Sequence, residues 1–214
     1  KQLDKIAAAG GEAGEKQDPA VSEKTDRIKI LYATSELAPY AYTGGLGDVM
    51  GSLPAAVKAT LGDKADVRVA IPLYPSVRNG WNDKLERVFE GEMTLSWRRQ
   101  YLGIYKIERS GVTFYFIDNE YYFKRAQAYG NFDDGERFAF FSKAVLELMR
   151  ITDFFPDILH ANDWQSALSV IYLKRKYAPD RLRGQSYDRK PEVFQRDHDR
   201  ILFRRPLSHT PYVP

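Results

Sequence analysis

The stretch Ile28-Lys29-Ile30-Leu31-Tyr32-Ala33-Thr34 is followed, after residues 35–41, by Tyr42-Thr43-Gly44-Gly45-Leu46-Gly47-Asp48-Val49. The first run is short, apolar and rich in strand-forming residues, as a buried strand should be. The second opens a helix that Ser52-Leu53-Pro54-Ala55-Ala56-Val57 continues, so the pattern reads strand, glycine turn, helix. A glycine pair at that place lets backbone approach a ligand closely. The helix start behind it offers unpaired N–H groups and the positive end of a dipole to an anion, and a phosphate-bearing ligand would suit it. An isolated Gly-Gly can equally serve only to pack a helix on a sheet. The decision between the two rests on the residues around it.

In context, Ser35-Glu36-Leu37-Ala38-Pro39-Tyr40-Ala41-Tyr42-Thr43-Gly44-Gly45-Leu46-Gly47-Asp48-Val49 resembles the opening motif of bacterial glycogen synthases and plant starch synthases, S-E-x-x-P-x-x-K-T-G-G-L-[GA]-D-V. The resemblance continues through Val67 to Pro75, Phe116 to Phe123, Tyr129-Gly130 with Asp133 to Phe138, and Pro156-Asp157-Ile158-Leu159-His160-Ala161-Asn162-Asp163-Trp164-Gln165. It spans about residues 27–178. One departure falls at the glycine turn, where the family has lysine and this chain has Tyr42. The resemblance implies that the lysine meets the phosphates of a sugar nucleotide, which a compact ammonium does by charge neutralisation. Tyrosine, with a reference pKa of ~10, stays neutral near pH 7 and can give one hydrogen bond or a stacking face. Either the site tolerates that change, or catalysis is impaired, or the tyrosine at 42 is an alteration of the natural residue.

The resemblance implies an α/β fold, a Rossmann-like and mostly parallel sheet flanked by helices, forming the N-terminal half of a GT-B glycosyltransferase. The implied parent reaction is transfer of glucose from ADP-glucose, with retention, to the nonreducing end of an α-1,4-glucan. On that reading Tyr42, Thr43, Gly44, Gly45 and Asp48 form the donor and phosphate side, and Tyr129, His160, Asp163 and Trp164 the glucan side. The expected partners are the glucan acceptor and ADP-glucose, the latter shared with a C-terminal domain that this chain does not carry. No cofactor and no metal are expected. Without the family's V-H-N segment and second domain, the chain alone is expected to be inactive. Two alternatives remain open: a non-catalytic glucan-binding or assembly module, and another sugar-nucleotide-binding Rossmann protein.

Composition bounds the class. Hydrophobic residues at 43% and charged residues at 29% of 214 are those of a globular chain able to bury a core. No apolar run approaches the ~18–20 residues that cross a bilayer, and no signal-peptide pattern opens the chain, so a cytoplasmic protein without membrane contact is expected. Zero cysteines exclude disulfides and thiol catalysis. A net charge of +3 is too small to argue for nucleic acid.

Three regions follow from texture. Residues 1–26 have almost no large apolar side chain after Ile6 and read as a flexible leader. Residues 27–178 carry the domain, with strands predicted over 28–34, 66–71, 90–97, 102–108, 112–118 and 156–160 and helices over 46–60, 134–150 and 163–177. The short breaks within 90–118 predict hairpin-connected strands added to the parallel core. Phe138, Phe141, Val145 and Leu148 lie at helical spacing and are expected in the core. His160-Ala161-Asn162-Asp163-Trp164-Gln165 sits where a strand ends and a helix starts. Taken alone, Asp163 reads as a helix cap and Trp164 as a core anchor about as well as either reads as a site residue.

Residues 179–214 are a basic tail in which Arg and Lys outnumber acids, expected to be extended or disordered. Phe194 to Phe203 weakly resembles a segment near the start of deoxynucleoside triphosphate triphosphohydrolases. Spacing gives His198, Asp199 and His209 no metal site with His160.

Overall fold

The computed structural model describes residues 27–177 together with two strands, 192–196 and 200–204. The leader expected over 1–26 and the residues His198, Asp199 and His209 lie outside the described residues. Eight strands form one sheet in the order β3-β4-β5-β2-β1-β6-β8-β7. Its centre is parallel: β1 (Ile28–Ala33) lies between β2 (Ala65–Pro72) and β6 (Ile158–Asn162), and β5 (Val112–Asp118) pairs with β2. These strands are buried towards their carboxyl ends, and their apolar runs follow from helices covering both faces.

Two hairpins extend the core on one side, as the short breaks within 90–118 predict. β3 (Glu86–Leu95) turns through Ser96-Trp97 into β4 (Arg98–Arg109), which turns through Ser110-Gly111 into β5. Ser110 and Gly111 have φ of 52° and 72°, the left-handed pair that matches a two-residue hairpin to strand twist. β3 starts earlier than expected because Glu86 and Arg87 interrupt the apolar alternation while still pairing with Lys106 and Tyr105.

Helix α1 (Gly45–Leu61) joins β1 to β2 and packs against β2 and β5. α2 (Pro75–Trp81) and α3 (Glu120–Phe123) are short and were not legible as periodic segments. α4 (Asp134–Ile151) joins β5 to β6 in the opposite sense to α1, so right-handed crossovers place the two on opposite faces. α5 (Trp164–Tyr172) packs on α4 and ends in a π-helical turn, Leu173–Tyr177. Phe138, Phe141, Val145 and Leu148 are all buried, as their spacing requires. Among the described residues no helix is long and apolar enough to cross a membrane.

On the far edge, β8 (Arg200–Arg204) pairs antiparallel with β6, and β7 (Glu192–Arg196) with β8. No strand period was expected within 179–214. Val193-Phe194 and Ile201-Leu202-Phe203 supply strand-forming residues that the surrounding charges mask. The open edge of β6 supplies unpaired backbone groups for them.

The chain leaves β1 towards β2 on one side and returns to β6 on the other. In open α/β sheets a ligand crevice forms outside the carboxyl ends of the strands at such a reversal of order. Residues 34–44 and Asp163 therefore stand at the place the topology reserves for a site.

Candidate functional site

The loop after β1 is built around one carboxylate. Glu36 is 3% exposed, and its Oε2 accepts hydrogen bonds from the backbone N–H groups of Thr43 and Gly44, both at 2.9 Å. Its Oε1 accepts one from the Tyr129 hydroxyl at 3.2 Å, and that hydroxyl also shares a hydrogen bond of 2.8 Å with Thr43 Oγ1. A buried carboxylate needs such donors to offset lost hydration. The result joins the glycine turn to a residue 86 positions further on. Thr34 fixes the acid from the other side: its Oγ1 donates to the Glu36 carbonyl at 2.9 Å and accepts from the Glu36 N–H at 3.3 Å.

The N–H groups nearest the helix start are thereby divided. Thr43 and Gly44 give theirs to Glu36, so Gly45 and Leu46 in the first turn of α1 are the donors that the helix itself leaves without an intrahelical partner. Gly44 and Gly45 face open space, where an added Cβ would meet nothing within 4 Å. The sequence assigned all of these amides to an anion; the carboxylate of Glu36 takes two of them.

Tyr42 lies across this turn, 59% exposed. Its hydroxyl donates to Asp48 Oδ2 at 3.2 Å, and its ring rests on Gly47, where a Cβ would come within 2.7 Å of Tyr42 Cδ2. The hydrogen bond to Asp48, with that carboxylate's charge, raises the Tyr42 hydroxyl above the ordinary tyrosine value and keeps it a neutral donor. Among the described residues neither Glu36 nor Asp48 is in an ion pair. The turn carries two acids and no cation of its own.

One turn further along α1, Gly51 packs where a Cβ would stand 2.9 Å from both the Cβ and the carbonyl oxygen of Ala38. Gly51→Ala should therefore destabilise the fold by ~1–2 kcal/mol, overpacking outweighing the ~1 kcal/mol that alanine returns in helix propensity. Gly44→Ala, next to open space and in extended backbone, should change stability by less than ~0.5 kcal/mol. Urea unfolding of the two variants checks the contrast.

Tyr129 is held by its own loop. Asp134 Oδ2 accepts from the N–H groups of Gly130 at 2.5 Å and Asn131 at 3.1 Å, and its Oδ1 accepts from Arg137. Burial works against the charged form of Asp134, but the Gly130 amide and Arg137 outweigh it and hold the carboxyl below the usual aspartate value. Arg137 is fully buried and also donates to the carbonyls of Tyr122 at 2.6 Å and Ala128 at 3.1 Å. Each of its three nitrogens donates once, so the buried charge is paired and hydrogen-bonded while it braces the loop bearing Tyr129.

The end of β6 and the residues directly after it form a second group on the same sheet edge. His160 is 8% exposed and its ring lies 5.0 Å from that of Tyr32, its register partner on β1. It stands beneath the surface. Asn162 is buried and donates to the carbonyls of Ala33 and His160, both at 3.2 Å, tying the ends of β6 and β1 together. Asp163 takes φ 61°, a conformation few side chains adopt, and its carboxylate accepts from the Trp164 backbone N–H at 2.7 Å. Trp164 is half-exposed, with its ring edge-on to Phe138 at 5.1 Å, so it is both anchored and accessible.

The structure thus brings Tyr42, Thr43, Gly44, Asp48 and Tyr129 into one cluster around Glu36, and sets Asp163 and Trp164 at the neighbouring strand end. Glu36, Arg137 and Asn162 are absent from the residues that sequence reading assigned to the site. Glu36 entered the sequence reading only as a member of the motif Ser35-Glu36-Leu37-Ala38-Pro39, with no role assigned to it. Chemically, the edge offers amides and hydroxyls for oxygen-rich ligands, carboxylates that can accept from sugar hydroxyls, and two accessible aromatic faces, Tyr42 and Trp164.

The family model of the starch synthase catalytic domain matches residues 29–186. Among curated proteins, the glycogen synthase of Clostridium novyi (strain NT) is 49% identical over 151 residues, covering 70% of this chain and 31% of the relative. That of Geobacillus stearothermophilus is 46% identical over 150 residues, covering 70% and 30%. A solved structure described as the catalytic domain of starch synthase IV from Arabidopsis thaliana bound to ADP and acarbose superposes with a TM-score of 0.64. It is 30% identical, and the match covers 72% of this chain and 31% of that one. The chain spans about a third of the length of the curated relatives it matches.

Proposed function

The chain belongs to the starch synthase catalytic domain family, and on that premise we propose that it forms the acceptor-side half of a glucosyltransferase cleft. The parent reaction is transfer of glucose from ADP-glucose to the nonreducing end of an α-1,4-glucan, with retention and without a cofactor. The observation that carries this reading is the Glu36 cluster, in which one carboxylate couples the glycine turn at the helix start to Tyr129. Such a coupling sets donor-facing amides and an acceptor-facing hydroxyl in fixed relation, which proximity catalysis requires.

In this reading Gly45 and Leu46 offer N–H groups to the diphosphate, whose charge grows as the glycosidic bond breaks. Tyr129, Asp163 and Trp164 hold the glucan, the hydroxyl and carboxylate to oxygen atoms and the indole face to C–H surface, while Thr43 stays on the donor side and joins it to Tyr129. His160, beneath them, orients rather than touches. Because the turn has two acids and no cation, the positive charge that a leaving diphosphate needs comes from outside the turn, in this reading from the facing domain. The family setting supports a cytoplasmic place of action.

The test is transfer of labelled glucose from ADP-glucose to glycogen. The 214-residue chain alone is expected to show none above blank. Joined to the remaining segment of a glycogen synthase about half identical to it, the chain is expected to restore incorporation. Turnover by the isolated chain would overturn the half-cleft reading.

A further inference from the structure

Three large aromatic side chains stand in solvent on the sheet edge that carries the candidate site: Trp97 at 83% exposure, Tyr121 at 60% and Phe132 at 109%. Rings of this size are normally covered, and several exposed together mark a contact surface. Their placement is built. Strand β4 pairs Gly103 with Asp118, the last residue of β5, so residues 98–102 run past the carboxyl edge of the parallel strands and carry Trp97 outward at the hairpin tip. Lys143 of α4 donates to the Thr94 carbonyl, and Arg98 Nη1 donates to Glu136 Oε1 at 2.8 Å, fixing that tip to α4.

The three rings are joined through polar contacts. Arg98 lies 5.9 Å from the Trp97 ring and pairs with Glu136, which also accepts from the Tyr122 hydroxyl at 2.6 Å. The Tyr122 ring is 5.0 Å from that of Tyr121. Arg125 lies 5.8 Å from the Tyr121 ring and donates to Asp133 at 2.8 Å, next to Phe132. Phe132 itself belongs to the loop whose other end is Tyr129, so the aromatic surface continues the Glu36 cluster outward.

The chemistry of the rim decides the occupant. The cations Arg98, Arg125 and Lys124 are each matched by a carboxylate, Glu136, Asp133 and Glu120. A nucleic acid or acidic ligand would need unmatched cations. A tightly packed protein partner would favour a continuous apolar centre depleted of charge, whereas here ion pairs separate the rings. Flat hydrophobic faces with neutralised, hydrogen-bonding edges suit a neutral ligand that shows C–H faces and many hydroxyls.

We propose that Trp97, Tyr121 and Phe132 form a stacking platform for the outer units of an α-glucan chain whose end is held at Tyr129. This rests on the acceptor-side reading above and extends it to residues outside the matched motifs' site. The platform adds affinity for long glucans and little for short ones.

The test is electrophoresis of the full chain in native gels with and without glycogen, supported by titration with maltoheptaose and maltose. Wild type is expected to be retarded by glycogen. Trp97→Ala with Phe132→Ala should weaken glycogen binding roughly tenfold, the sum of two exposed stacking contacts. Trp97→Phe should keep most of it, and weak maltose binding should be unchanged in all. Single variants and thermal melts keep the result readable if the double variant is unstable. Equal retardation of wild type and double variant would overturn the platform and leave the acceptor-side reading standing. Absence of any glycogen or maltoheptaose binding by wild type would overturn both. If sedimentation instead shows self-association that the double variant abolishes, with glycogen binding unchanged, the rings are an interface between copies and the platform is overturned.

Discussion

Glu36→Ala is expected to lower the unfolding free energy by about 3–5 kcal/mol, while Glu36→Gln costs about 1 kcal/mol or less. The difference follows from which oxygen does what. Oε2 accepts from both Thr43 and Gly44 N–H, and Oε1 takes the Tyr129 hydroxyl. Glutamine keeps a carbonyl oxygen for the two amides, and its NH₂ can donate to Tyr129, whose proton then turns to Thr43 Oγ1. Alanine leaves two backbone donors without their partner, leaves the Tyr129 hydroxyl with Thr43 alone, and removes a carboxylate that ties the turn to Tyr129. Charge-assisted bonds of this kind contribute ~1.5–3 kcal/mol each, and water entering the vacated space recovers part of the sum. Urea denaturation measures the three proteins side by side. An alanine variant as stable as the glutamine variant would show that the carboxylate does not organise the turn.

Tyr42→Lys, made in a two-domain enzyme rebuilt around this chain, is expected to raise kcat with ADP-glucose at least about tenfold. The turn has Glu36 and Asp48 and no cation, and Tyr42 fills the position with a neutral hydroxyl directed at Asp48 rather than outward. An ammonium there would sit between Asp48 and the ligand space above Gly44 and Gly45. It would meet a diphosphate that is more negative in the transition state than in the bound donor, so the gain falls on turnover more than on KM. Loss of one well-placed electrostatic donor costs roughly a hundred- to thousandfold in other sites; the smaller figure allows for Asp48 drawing on the new charge. Steady-state kinetics at saturating glycogen decide it. An unchanged or lower kcat would mean that this turn does not face the phosphates.

The parallel centre of the sheet was legible because its strands are buried on both faces and read as apolar runs bounded by turns. α1 and α4 were legible for their length and period, and α4 runs from Asp134 to Ile151 against an expected 134–150. The third helix was expected over 163–177, but regular α-helix ends at Tyr172 and the remainder is a π-helical turn. α2 and α3 were not legible, since 7 and 4 residues are too few to show a period. At the site, the glycine turn announced itself by composition, whereas its chief organiser did not. The role of Glu36 depends on Tyr129 arriving from 93 residues away, which only the sheet order and the Arg137-braced loop bring about. The exposed rings of Trp97 and Phe132 carried no sequence signal either, because an aromatic residue in a turn looks the same whether it is covered or open.

The most direct measurement of the central claim is calorimetric titration of the 214-residue chain with maltoheptaose, wild type against Tyr129→Ala. Tyr129 is half-buried, and its loop is held separately by Asp134 and Arg137, so the variant should remain folded. The acceptor-side account predicts that wild type binds and that the variant binds at least about tenfold more weakly, having lost both the hydroxyl and the ring. Equal binding by the two folded proteins, or none by wild type, would contradict it.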